Sequence, residues 1–141
     1  EGSELWLDGG HNEAAGIALG ETLAVWQTQD PRPTYAICGM MNVKDISGFV
    51  SCFRDQVDGL YGLTIPGEEN ALPAEDIVTQ AGAAGVSSMV AASANDALDQ
   101  IATRSADGPA PRVLICGSLY LAGSVLAEEQ GRIKEPGEFS R

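Results

Sequence analysis

Residues 5–40 read LWLDGGHNEAAGIALGETLAVWQTQDPRPTYAICGM, and this stretch decides the fold class. Leu5, Trp6 and Leu7 form a short apolar run that stops at Asp8. Two glycines follow, then a segment in which Ala15, Leu19, Leu23 and Trp26 recur every three or four residues. That spacing gathers them on one stripe of a helix. A second apolar run, TYAICGM, begins at Thr34. A strand, an amphipathic helix and a further strand make a βαβ unit.

The same alternation continues to the end of the chain. Apolar runs predict strands at residues 5–8, 34–40, 59–65, 87–91 and 112–116. Helical spacing predicts helices at residues 12–27, 46–57, 74–83, 95–103 and 120–128, the second carrying Ile46, Phe49, Val50 and Phe53 on one face. Pro73 and Asn95 sit where two of the helices should start. Strict alternation implies an α/β domain, a mostly parallel sheet with helices on both faces. Gly62 and the polar start of SSMVA make the third and fourth strands the least strand-like. Residues 106–111 (ADGPAP) read as a surface loop, and residues 132–141 as an irregular tail without periodicity. Glu1 stands almost inside the first strand, as in a chain cut at a domain boundary.

The 141 residues suit one domain, with 44% apolar and 20% charged side chains. A net charge of −12 repels phosphate backbones and anionic membranes, which argues against a nucleic-acid or membrane partner. No apolar run approaches the roughly 20 residues that span a bilayer, and no signal peptide is evident. Cys38, Cys52 and Cys116 lie in apolar surroundings with no CxxC pair, so they read as small buried residues of a reducing, cytoplasmic protein.

In an open parallel sheet, ligands bind beyond the C-terminal strand ends. Three polar, glycine-bearing segments fall there: DGGHN at residues 8–12, GMMNVKD at 39–45, and GSLYLAG at 117–123. Asp8 ends the first strand, and His11 and Asn12 stand at a helix N-terminus, where free N–H groups favour an anion. Equally, Asp8 or Asn12 could serve only as a helix cap and His11 as a surface residue. Lys44 could hold a carboxylate or phosphate, or be simply solvated. Ser118 could bind an oxyanion or cap a helix. There is no GxxxxGK[ST] phosphate loop, no GxGxxG and no GxSxG elbow.

These segments resemble a known family. LWLDGGHNEAA is similar to the L-D-x-A-H-N-P motif that opens the C-terminal domain of folylpolyglutamate and dihydrofolate synthases. CGMMNVKDISGF resembles their G-M-x-x-D-K-D segment, and GSLYLAGSVL their closing G-S-L-Y-L-A-G-E-V-L segment. The family is part of the Mur ligase superfamily. The resemblance implies a Rossmann-like three-layer domain over residues 1–131, with five to six strands, one of them antiparallel and placed before Glu1. It also implies an N-terminal P-loop ATPase domain, absent from this chain, that carries most magnesium ligands.

The implied reaction is ATP-dependent. A pterin carboxylate, on dihydropteroate or folate, is phosphorylated to an acyl phosphate, and the amine of L-glutamate then displaces phosphate to form an amide. The resemblance carries roles onto matching residues. Asp8, His11 and Asn12 would bind ATP; His11, Lys44 and Ser118 would bind glutamate; His11 would be the catalytic group at the junction. It assigns no metal ligand to this chain, with Mg2+ entering beside ATP. Gly10 stands for the family's alanine, a change the position should tolerate. Glu13 replaces a proline, Val43 an aspartate and Ser124 a glutamate. The rival reading is a non-catalytic α/β binding module of receiver or flavodoxin type, for which GLTIPG offers no phosphoacceptor aspartate.

Overall fold

A computed structural model of the chain describes residues 3–41, 45–118 and 121–126. The strands are β1 (Glu4–Leu7), β2 (Thr34–Cys38), β3 (Gly59–Gly62), β4 (Ser88–Val90) and β5 (Arg112–Cys116). The helices are α1 (Glu13–Gln29), α2 (Ile46–Ser51), α3 (Ala74–Ala83) and α4 (Ala94–Arg104), with a 3-10 turn at Arg54–Gln56. Residues 121–126 are also helical. All five strands are parallel and lie in the order β1-β5-β2-β3-β4. This is the expected α/β, Rossmann-like architecture. The antiparallel sixth strand is not among the described residues, and the tail at 132–141 lies outside them.

The order has a physical reading. Parallel crossovers are right-handed in nearly all proteins. From β1 through β4 the chain steps one way across the sheet, and α1, α2 and α3 share one face. There Leu19, Leu23, Phe49, Phe53 and Ile77 pack on Ala36, Leu60 and Leu114. The return from β4 to β5 runs the other way, so α4 lies on the opposite face. There Ala97 and Ile101, with Leu121 and Val125, cover Ile37, Tyr61 and Ile115. The central strands β2 and β5 are buried along their whole length, which is why TYAIC and RVLIC read as unbroken apolar runs. The edge strand β1 leaves Leu5, Trp6 and Leu7 exposed.

Several expected boundaries move. Strands β2 and β3 end two and three residues early, where Gly39 and Leu63 leave the regular ladder. The second helix stops at Ser51 and gives way to the 3-10 turn, although Phe53 stays buried. Helix α4 is capped by Ser93, whose side chain accepts from the Asp96 N–H at 3.0 Å, so Asn95 lies inside the helix. Asp45 and Asn12 cap α2 and α1 in the same way.

At the N-terminal end of the sheet, Arg112 is 1% exposed and fully engaged. Its Nε donates to Glu4 Oε1 at 3.0 Å, Nη1 to Gln27 Oε1 at 2.8 Å and Nη2 to the Asp30 carbonyl at 2.9 Å. Trp6 of β1 stacks on Trp26 of α1 with ring centroids 4.3 Å apart. The edge strand is thus tied to α1 at the end opposite the predicted ligand loops.

Candidate active site

Strand β5 sits between β1 and β2, and this placement builds the site. The chain leaves β1 and β2 toward helices on one face and leaves β5 toward a helix on the other. Adjacent strand ends whose connections diverge open a crevice at their C-terminal edge. The loops predicted to carry ligands are the three that meet there.

The first loop is folded on itself. The Asp8 N–H donates to the Ile115 carbonyl at 2.9 Å, one last rung of the β1–β5 ladder. Asp8 Oδ1 accepts from the Gly10 N–H at 2.7 Å. A Cβ at residue 10 would stand 2.9 Å from that same oxygen and 2.5 Å from Ala15 Cβ. Glycine therefore suits this position as long as Ala15 stays in place, in keeping with the expectation that the change from the family's alanine to Gly10 is tolerated.

His11 is half-buried, and its buried Nδ1 has no hydrogen-bond partner among the described residues. Such an atom is costly unless a ligand or a neighbouring chain satisfies it. The Asn12 side chain accepts from the Ala15 N–H at 2.9 Å, so it is occupied as the N-cap of α1. The capping role that the sequence left open for Asn12 is the one its geometry carries.

The second and third loops close against the first. Gly39 N–H donates to the Cys116 carbonyl at 3.3 Å, and Gly117 N–H donates to the Gly10 carbonyl at 3.1 Å. Ser118 is 4% exposed, and its carbonyl accepts from the Ala122 N–H at 3.1 Å. The Met40 carbonyl accepts from the Leu72 N–H at 2.7 Å, and Met41 bridges Ala71, so the second loop is braced from outside. Lys44 lies outside the described residues. Asp8, His11 and Ser118 are brought to one edge of the sheet.

Sequence reasoning read Cys38 and Cys116 as small buried residues but missed two features of this junction, their juxtaposition and the contacts of Gly117. Cys38 and Cys116, register partners on β2 and β5, are both buried beneath the loops. The hydrogen bond that Cys116 shares with Cys38 holds its thiol well above the ordinary range, and burial adds to this. The Cys116 thiol stays protonated and serves as packing, not as a nucleophile. The other feature is the set of glycine contacts around Gly117, which no local pattern signals because the partners come from separate loops.

Other concavities lie elsewhere. A cleft of about 330 Å³ at the opposite end of the sheet is lined by Leu98, Ile101, Ser105, Pro111 and Val113 and carries no charged side chain. A groove of about 200 Å³ runs between Trp6, Trp26, Thr22 and Asp8. The strand ends, not this cleft, combine a carboxylate, an imidazole and a hydroxyl. Among the described residues no three His, Cys, Asp or Glu side chains come together as a cation site.

Residues 1–119 match the family model described as Mur ligase, glutamate ligase domain. No curated protein sequence matches the chain. Solved structures do. A bifunctional folylpolyglutamate synthase/dihydrofolate synthase with Mn, AMPPNP and L-glutamate bound is 28% identical over 89% of this chain, with a TM-score of 0.71. The corresponding enzyme from Yersinia pestis, complexed with AMPPNP and Mn ion, is 25% identical over 89%, with a TM-score of 0.73. E. coli FolC in complex with DHPP and ADP is 26% identical over 90%, with a TM-score of 0.70. The chain spans only 28–29% of the length of these proteins.

Proposed function

The chain belongs to the Mur ligase family as a glutamate ligase domain, and from that membership we propose that it is the C-terminal part of an ATP-dependent folylpolyglutamate/dihydrofolate synthase. In this reading residues 1–131 form the domain, residues 132–141 a tail, and a P-loop ATPase domain precedes them in the same protein. ATP phosphorylates the carboxylate of dihydropteroate or a folate, releasing ADP. The glutamate amine then attacks the acyl carbon, loses its proton, and expels phosphate as the amide forms. In the same reading the Mg2+ that accompanies ATP is held mainly by the preceding domain. The setting is cytoplasmic, and no described helix is long and apolar enough to cross a membrane.

Within that scheme Asp8 contacts ATP, His11 lies between ATP and glutamate, and Asn12 holds the helix end beneath them. Lys44 pairs with a carboxylate of the amino acid, and Ser118 hydrogen-bonds glutamate. The observation that carries the reading is the convergence of the loops after β1, β2 and β5 on one edge, locked by the Gly117-to-Gly10 hydrogen bond. Such a site works by positioning and by fixed dipoles, and domain closure excludes the water that would hydrolyse an acyl phosphate. The receiver-like alternative places its first strand inside the sheet; here β1 is at the edge.

The test is ligation of glutamate to dihydropteroate and to tetrahydrofolate by the full-length protein. Ser118→Ala removes one hydrogen bond to a charged ligand, about 1.5–3 kcal/mol, so the glutamate KM should rise roughly 10- to 100-fold with the ATP KM unchanged. Full-length protein that ligates neither pterin would sink the proposal. An unchanged glutamate KM in the variant would remove Ser118 from the site while keeping the ligase.

A further inference from the structure

Resting on the ligase reading, we propose that Gly117 is a positioning residue that sets the nucleotide side of the site against the glutamate side. Gly117 directly follows β5 and adopts φ +105°, a conformation that side-chain-bearing residues rarely take. Its N–H donates to the Gly10 carbonyl at 3.1 Å, within the loop of Asp8 and His11. Its Cα faces the second loop so closely that a Cβ would stand 2.5 Å from the Gly39 carbonyl oxygen. The same Cβ would be 3.1 Å from Cys38 Sγ and 3.2 Å from Met40 Cγ. The obstacle at 2.5 Å is backbone, so no rotamer change relieves it. Ser118 is the next residue along the chain.

One residue therefore touches the loops after β1 and β2 and fixes the start of the third. A side chain at position 117 has to push Gly39 away, and it strains the peptide that holds Gly10. Both displacements act on groups that the ligase reading assigns to different substrates. Gly39 is placed differently. The three atoms nearest a Cβ there are all in side chains, Ile65 Cγ1 at 2.9 Å, Leu121 Cδ2 at 3.1 Å and Leu63 Cδ1 at 3.2 Å. Of these, only Leu121 belongs to a site segment, the helical one that follows Ser118, so a side chain at Gly39 would reach the site from the glutamate side.

The experiment uses the full-length enzyme. In Gly117→Ala the KM values for ATP and for glutamate should both rise, each about tenfold or more, since displacing reacting groups by about 1 Å costs on the order of 100-fold. The Kd of a non-hydrolysable ATP analogue, measured calorimetrically, should rise in parallel with the ATP KM. Asp8→Asn, which keeps an acceptor for the Gly10 N–H, should move only the nucleotide constants, and Ser118→Ala only the glutamate KM. A glycine that served folding alone would lower the active fraction, and so kcat, while leaving both KM values in place; that result overturns the proposal. If Gly117→Ala cannot be recovered folded, Gly39→Ala carries the test. It should raise the glutamate KM several-fold and leave the nucleotide Kd alone, and an equal rise in both or in neither overturns the assignment. A wild type that ligates nothing takes down the ligase reading itself, whereas an active wild type with unmoved constants in the variants removes only Gly117.

Discussion

Glu4 shows how much a single partly exposed side chain can depend on a buried one. Its carboxylate accepts a hydrogen bond from Arg112, and that bond above all holds its pKa below the usual 4.5, with Trp6 contributing next. The contribution to stability is fully present above pH 4.5 and is lost as the pH falls through the lowered folded value. Glu4→Gln should therefore lower the urea midpoint of the chain at pH 7, and the difference from wild type should shrink as the pH falls below 4.5 and through the lowered folded value. A difference that persists unchanged across that range would show that the ion pair is not its source. Legibility at this scale was uneven. Asp8, His11 and Ser118 could be singled out because strand ends in a parallel sheet are where ligands go. The Arg112 network could not, since Glu4, the Gln27–Asp30 turn and Arg112 come from three distant segments and no spacing links those segments.

At the scale of elements, the packing of α1 on α2 carries the clearest expectation. A Cβ at Gly16 would lie 2.6 Å from the Phe49 carbonyl, and one at Gly20 would lie 2.4 Å from the Cys52 carbonyl. In an open helix, replacing glycine by alanine stabilises by about 1 kcal/mol. Here the obstacles are backbone atoms, so α2 must move, and overpacking of this kind costs about 1–3 kcal/mol. Gly16→Ala and Gly20→Ala should each come out destabilising by denaturant unfolding; a gain in stability would show that the two helices separate freely. Periodicity found the stripe of Leu19 and Leu23 but passed over these glycines, because a residue without a side chain leaves no apolar signal. The third strand has a related explanation. Gly62 weakens it as a sequence pattern, yet a Cβ there would stand 3.0 Å from side-chain carbons of both Ile77 and Val78, so its absence lets α3 sit close. The fourth strand reads poorly because only Ser88–Val90 pair, at an exposed edge.

The whole molecule is a sheet whose two faces are built by opposite directions of travel. This arrangement leaves the ligand loops at one edge and no phosphate loop anywhere in the sequence. Supplied with ATP, a pterin and glutamate, the chain by itself should release no ADP and form no amide; turnover by the purified chain would contradict its role as one part of a larger ligase. The order of βα units, the buried character of TYAIC and RVLIC, and the three polar strand ends were set by local sequence. Those properties depend on residues only a few positions apart, where periodicity and glycine placement act directly. Only the tertiary structure put β5 between β1 and β2. It alone brought Gly117 against Gly10 and Gly39, left His11 Nδ1 buried with no partner among the described residues, and set Cys38 beside Cys116. Each is a contact between separate strand ends, and such contacts are decided by crossover handedness and by close packing of the two layers on the sheet.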